Sequence, residues 1–557
     1  MIRQTLTGGP VHPAARIHAG DAIAGKLDRR EFMARTTALG LTAAGASALI
    51  GLPAPAIAQP VPAPRRGGTL RMQMEVRQLK DPRTFDWSEM AWVASGWLEY
   101  LVEYNNDGSF TPMLLDSWEV SDDATRYTLN VRPGVTWNDG TPFTAEDVAF
   151  NIRNWCQRDA EGNSMAGRFA VIIDDMTGQA RDGAIEVTDD LTVVLNLSAP
   201  DITLIAGMGD YPACIVPQDY DPADILSAQK GTGPYLNVEH MVGVRSVLER
   251  NADHDWWGYA AGKGGWLDRI EFIDYGQDPV SWLAAAEAGE VDMVYESVGE
   301  FIELFDALGW TRSDVVSGAT IVIRPNQLAE VDGMRPYADK RVRQALVKAV
   351  DNTVCLDLGY AARGVPADNH HVAPVHPEYA EVPRLPHDPA GAFALLEEAG
   401  MAEFDFELVS IDDDWRRNTT DAVAAQLRDA GFTVTRTVLP GSTFWNDWTN
   451  FPFSSTNWNH RPLGTQILGL AYRSGEPWNE FGFASDDFDS LLAEANTIAD
   501  ADARREVMAR LQAILVDEGV TIQPYWRSLY RHHRPEVLGA GMHIAYMPHL
   551  YRFGFAA

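Results

Sequence analysis

Cysteine is scarce: there are three in 557 residues, Cys156, Cys214 and Cys355, with no CxxC spacing. That excludes a disulfide scaffold and a thiolate zinc site. It allows one disulfide at most and leaves open whether any forms. Positive charge is short too. Lys and Arg number 45 against 78 Asp and Glu, giving a formal net charge of -33, so most of the surface should repel nucleic acid and anionic membranes. An acidic ligand would need a local basic pocket. Catalytic signatures are missing: there is no H-E-x-x-H, no G-x-S-x-G, no P-loop and no G-x-G-x-x-G after a strand. Gly231-Thr232-Gly233-Pro234-Tyr235 is glycine-rich, but Pro and Tyr stand where a phosphate loop needs a helix start. His370-His371 and His532-His533 are adjacent pairs, and sequence neighbours point in different directions on a strand or helix. No metal and no cofactor is expected. Carboxylates are too abundant for an acid/base pair to be singled out.

What is present is a globular composition, 46% hydrophobic and 22% charged, on a chain long enough for two or three domains. Its 17 Trp and 17 Tyr supply flat amphipathic surfaces for a core or a ligand wall. Near the start, Leu27-Asp28-Arg29-Arg30-Glu31-Phe32-Met33 sets two arginines before an apolar pair, and residues 36–64 contain no charge. Ala56-Ile57-Ala58 is a small-x-small cleavage pattern. The arrangement resembles a twin-arginine export signal, so residues 1–58 read as a signal peptide with Arg29, Arg30, Ala56 and Ala58 as its key residues. A membrane anchor is the competing reading, weakened because Gly and Pro break the run. No later run of about 18 apolar residues exists, so a soluble periplasmic protein is expected.

The Pro-rich stretch 59–66 is a linker, and 67–74 alternates as a first strand. Residues 116–136 read as a hairpin around Ser121-Asp122-Asp123-Ala124. Thr144-Ala145-Glu146-Asp147 is a capping box opening a helix. Later the pattern is α/β: a strand at 404–409, a helix at 419–427 capped by Asn418, then a strand at 432–438, a βαβ unit with parallel strands. Residues 390–399, behind Asp388 and Pro389, and 501–515 read as further helices. Hairpins early and βαβ units late argue for more than one domain.

One ordered set of residues goes further. Trp118, Ser121-Asp122-Asp123, Tyr127, Arg132, Gly134-Val135, Trp137, Asp139-Gly140 and Pro142 to Val148 resemble the signature of the family 5 extracellular solute-binding proteins of ABC importers, the peptide, nickel and opine type. Gly231 to Tyr235, Leu248 to Asn251, Trp256-Trp257, Arg341 to Leu346 with Ala349-Val350-Asp351, Phe488-Asp489, Leu491-Leu492, Asp500 and Arg504-Arg505 follow in the family's order. The resemblance implies an α/β, periplasmic-binding-protein type II-like fold: two α/β lobes joined by a hinge, with an extra domain on the first lobe. Lobe I would take 59–96, 217–319 and 530–557, the extra domain 97–216, and lobe II 320–529.

It also places Asn457-Trp458-Asn459-His460-Arg461-Pro462-Leu463-Gly464 in the ligand loop. Peptide-binding relatives carry an Asp three residues after the Trp, to pair with the ligand's ammonium. Arg461 stands there in this chain, and no Arg or Lys occurs between Trp445 and Trp458 to hold a peptide carboxylate. Both peptide anchors are missing, and Arg461 is expected to face the cleft and meet an anionic or strongly hydrogen-bonding part of the ligand, with a protein carboxylate as the competing partner. The expected ligand residues are Trp458, Asn459, His460 and Arg461, then Trp445, Trp448 and Asn326, then His370 and Trp92. The reading is therefore a non-enzymatic, monomeric periplasmic receptor that passes a small organic solute to an ABC permease and its ATPase. An ordinary di- or oligopeptide receptor and an exported enzyme are the alternatives.

Overall fold

The computed structural model describes residues 4–52, 64–376, 378–498 and 501–557. Its centre is one mixed sheet whose hydrogen-bonded path begins with the pair Thr433–Leu439 and Asp405–Ile411 and ends with the hairpin Tyr235–Met241 and Arg245–Arg250. The two ends belong to the two lobes. In one, Thr69–Gln73 lies parallel to Arg269–Ile273. In the other, Asp405–Ile411 and Thr433–Leu439 are parallel in the register Phe406 to Val434, and the helix Asp414–Asp429 crosses between them. This is the βαβ unit the sequence predicts.

Two long antiparallel strands, Thr311–Pro325 and Tyr525–His533, join the lobes. Their register shifts between Val316 and Thr320, so a bulge sits where one lobe passes into the other. A separate antiparallel sheet, in the order Leu115–Val120, Arg126–Val131, Thr192–Asn196, Ile185–Asp189, forms the extra domain with the helix Ala145–Trp155. The expected capping box is present: Asp147 accepts from the Thr144 backbone N–H at 2.9 Å.

The lobe II crossover helix needs a correction. It begins five residues before Thr419, and its cap is Asp413, whose carboxylate accepts from Arg416 N–H at 3.0 Å. Asn418 lies in the second turn and donates to Asp414 at 3.1 Å. The preceding acidic run supplies a better N-terminal charge for the helix dipole than an Asn one turn later.

Residues before the linker form the helices Pro13–Ile23, Arg29–Ala38 and Ala43–Leu49, packed on the body. Trp118 Nε1 donates to Ala38 O at 2.9 Å, and buried Arg35 pairs with Glu31 at 2.9 Å and with Glu378 at 3.0 Å. Ala56 and Ala58 lie outside the described residues. Among the described residues no helix is long and apolar enough to cross a membrane. The three cysteines are buried and free, so the one disulfide the sequence allows is not formed.

Candidate functional site: the interlobe cleft

Parallel strands present ligands at their carboxyl ends, where the chain leaves the sheet. In lobe I the segment after Thr69–Gln73 carries Glu75 and Arg77, followed by Trp87, Ser88 and Glu89. In lobe II the segment after Asp405–Ile411 carries Asp413, Asp414, Trp415 and Arg416. These two sets face each other across two connected chambers. The inner one is lined by Gln73, Glu89, Tyr295, Trp415 and Arg527 among others. The outer one, wider and more open, is lined by Arg77, Trp445, Trp448 and Trp478 among others. Glu75, Trp87, Gly276 and Gln277 belong to both.

Direct contacts hold the lobes together across the inner chamber. Asn459 Nδ2 donates to Ser88 Oγ at 3.2 Å, and Arg527 pairs with Glu296. The Arg527 guanidinium lies 3.8 Å from the Trp415 ring. Arg416 pairs with Asp413 and donates to Asn457 Oδ1 at 2.8 Å. Burial raises the pKa of Glu89 and, helped by neighbouring Asp413, that of Asp414.

Of the residues expected at the site, Asn459, Trp445 and Trp448 line the chambers. The others lie elsewhere. Arg461 is buried against the extra domain: its Nε donates to Asp210 at 2.9 Å, and Arg168 shares the same oxygen. Burial alone would raise the pKa of Asp210, but Arg461 and Arg168 overcome it and hold the carboxyl below its ordinary value. The ligand contact expected of Arg461 gives way to the competing one: the fold supplies it with a protein carboxylate.

Trp458 gives its Nε1 to Glu480 at 2.8 Å and sits edge-on to Trp448 and Trp478. His460 stacks on His376 with ring centroids 5.2 Å apart. Asn326 caps the Leu328 N–H at 3.0 Å. His370 is buried beside Tyr379. Trp92 gives its Nε1 to Tyr546 O at 2.7 Å and carries Arg531 on its face. Sequence reasoning missed Glu89, Arg77, Trp87, Asp414, Trp415 and Arg416. For Arg77, Asp414, Trp415 and Arg416 the available signal was their place just past the carboxyl ends of parallel strands; Trp87 and Glu89 come later in the same lobe I segment.

Two α/β lobes around a cleft, hinged by two strands and carrying an extra domain, define a type II periplasmic-binding-protein fold. Residues 109–478 match the model of the bacterial extracellular solute-binding proteins, family 5, and the chain belongs to that family. It is 25% identical over 515 residues to a probable peptide ABC transporter periplasmic-binding protein of Sinorhizobium fredii, covering 85% of this chain and 91% of that one. It is 24% identical over 460 residues to heme-binding protein A of Haemophilus influenzae, covering 74% and 79%. Among solved structures it resembles the binding protein AgaA of A. tumefaciens R10 in complex with agropinic acid, at TM-score 0.75 and 20% identity, covering 88% of this chain and 99% of that one.

Proposed function

We propose that this protein is the periplasmic solute receptor of an ABC importer, capturing a small polar organic compound between its lobes and delivering it to the permease and ATPase complex. The observation that carries the reading is the cleft, lined from both lobes by tryptophans and by charged groups. A ligand touching both walls favours the closed form through its differential contacts. No chemical step is assigned to it, in keeping with relatives that are named as binding proteins. One anchor expected for an ordinary peptide has no counterpart here: Arg461 is committed to Asp210, so position 461 offers no carboxylate to a terminal ammonium. We read the chain as a monomer, with residues 1–58 as its export signal.

Two experiments test this. Mass spectrometry of the compound that co-purifies, followed by small-angle scattering with and without it, should show a bound organic solute and a more compact liganded protein. A protein that carries no solute and never changes shape would count against the receptor. Separately, replacing Arg29 and Arg30 together by Lys should leave the precursor uncleaved inside the cell, whereas the natural chain should yield a mature product starting near Gln59.

A further inference from the structure

The two chambers of the cleft differ in the groups they leave unmatched. In the outer chamber Trp87 Nε1, Trp445 Nε1 and Arg77 Nε are buried with no hydrogen-bond partner among the described residues. Both tryptophans are 7% exposed, and the Arg77 side chain is 9% exposed. All three are donors; the remaining unpartnered lining atom, Asp86 Oδ1, lies 3.0 Å from Lys80 Nζ. The three adjoin: the two indole centroids are 4.0 Å apart, and the Arg77 guanidinium lies 4.8 Å from Trp87 and 5.4 Å from Trp445. Arg77 and Trp87 come from lobe I and Trp445 from lobe II. An oxygen acceptor seated there is held by both lobes, and buried N–H groups favour such a partner strongly.

The inner chamber differs in its charge pairing: it shares the Trp87 N–H, but carboxylates outnumber arginines in its wall. Its arginines are paired, Arg527 with Glu296 and Arg416 with Asp413, although Arg527 Nε is buried with no hydrogen-bond partner among the described residues. Arg77, at the boundary, is used by Glu75 at 2.8 Å. Two carboxylates are left over. Glu89, from lobe I, has Arg77 as its nearest cation, at 3.9 Å. Asp414, from lobe II, accepts from the neutral Asn418 amide. Gln73, 3% exposed, adds an Oε1 without a donor. Trp282, Tyr295, Trp415 and Tyr546 complete the wall. Carboxylates paired only weakly, among aromatic faces, favour a cation.

We infer that the cleft sorts its solute by charge: a cationic nitrogen sits in the inner chamber between Glu89 and Asp414, and an oxygen head such as a carboxylate sits in the outer chamber on Trp87, Trp445 and Arg77. This deepens the receptor reading and rests on it. It also moves the anion-accepting position from Arg461 to the tryptophan pair.

The test is calorimetry on protein unfolded, freed of solute and refolded. The probes are ω-amino acids from 5-aminopentanoate to 12-aminododecanoate, with the n-alkylamines and n-alkanoates of matching length. One chain length of the amino acid should bind about ten-fold or more tighter than both its matched amine and its matched acid, as expected when a second charged hydrogen bond is gained. Glu89→Gln and Asp414→Asn should weaken the amino acid and amine about ten-fold or more while leaving the acid unchanged. Trp445→Phe keeps an aromatic ring but loses the N–H, so it should weaken the amino acid and acid and spare the amine. Melting curves verify that each variant folds. Alkanoates binding as tightly as the amino acids, or Glu89→Gln and Asp414→Asn without effect, overturns the charge assignment. So does rebinding of the extracted natural solute when none of the three series binds. In each of those cases the receptor reading stands. If neither the probes nor the extracted small-molecule fraction binds, the receptor reading itself falls.

Discussion

Arg461 and Asp210 show how far a single buried charge reaches. One carboxylate serves two buried guanidinia, and Arg461 also lies 5.0 Å from the Tyr211 ring and 5.7 Å from that of Trp478. Removing the shared acid strands both cations. Asp210→Asn should therefore cost about 3–5 kcal/mol of stability, read as a lower midpoint in urea. Arg461→Ala should lower the melting point of the solute-free protein more than it lowers solute affinity; the reverse pattern would put Arg461 at the ligand. The histidines behind this loop make a second residue-level prediction. His370 and His376 are held neutral by burial, with pKa values near 3, and burial drives His371 and His460 well below their ordinary value. The unfolded chain takes up these protons near pH 6.5 and the folded chain refuses them. Stability from this cluster is thus full above pH 6.5 and falls as pH drops toward 3, by at most about 1.4 kcal/mol per unit for each ring. Glu31 and Glu99, raised by burial to about 8 and about 7, act oppositely: their contribution is present below about pH 4.5 and lost as pH rises to those values. Urea titrations from pH 7 to 5 should show a shallower loss in His376→Gln than in the natural chain. Equal slopes would sink the assignment.

Among the elements, the hinge strand Thr311–Pro325 depends on a glycine. At its bulge Gly318 donates its N–H to His460 Nδ1 at 3.2 Å, and a Cβ there would lie 2.8 Å from His376 Nε2 and 2.9 Å from His460 Nδ1. Both rings are buried and cannot swing into solvent. Gly318→Ala should push the histidines apart, lower the melting point and change the interlobe angle seen by scattering. An unchanged angle and melting point would show that the bulge has slack. The caps and the βαβ unit were legible because Asp, Pro and Gly act through neighbours a few residues away. The start of the Asp414–Asp429 helix was misread because three successive acids, Asp412, Asp413 and Asp414, offer competing caps, and only the direction of the strand before them chooses.

At the scale of the whole molecule, the helix Arg29–Ala38 touches separate parts of the body. Thr37 Oγ1 accepts from the Phe110 N–H at 2.8 Å, and Glu31 pairs with Arg505 at 3.2 Å while Arg35 reaches Glu378. These contacts tie the extra domain to lobe II. A chain beginning at Gln59 should lose them, so its lobes should exchange solute faster than those of the full-length chain. Stopped-flow tryptophan fluorescence on the two proteins measures this, and equal rates would mean that the helix does not restrain the lobes.

By itself, the sequence determined the family, through ordered blocks from Trp118 to Arg505. It also determined the succession of hairpins and βαβ units, through periodicity and local caps. Those signals work because each involves residues close together in the chain. Only the tertiary structure decided which side chains share the cleft. With 78 acids against 45 bases, nearly any arginine could have found a carboxylate nearby. The partner of Arg461 stands 251 positions away, on the extra domain, and no local pattern announces it. Glu89 and Asp414, which face one chamber from opposite lobes, are 325 residues apart in number and meet only because the hinge strands bring two strand ends together. Charge balance in the cleft is a property of that meeting, and so is the kind of solute it selects.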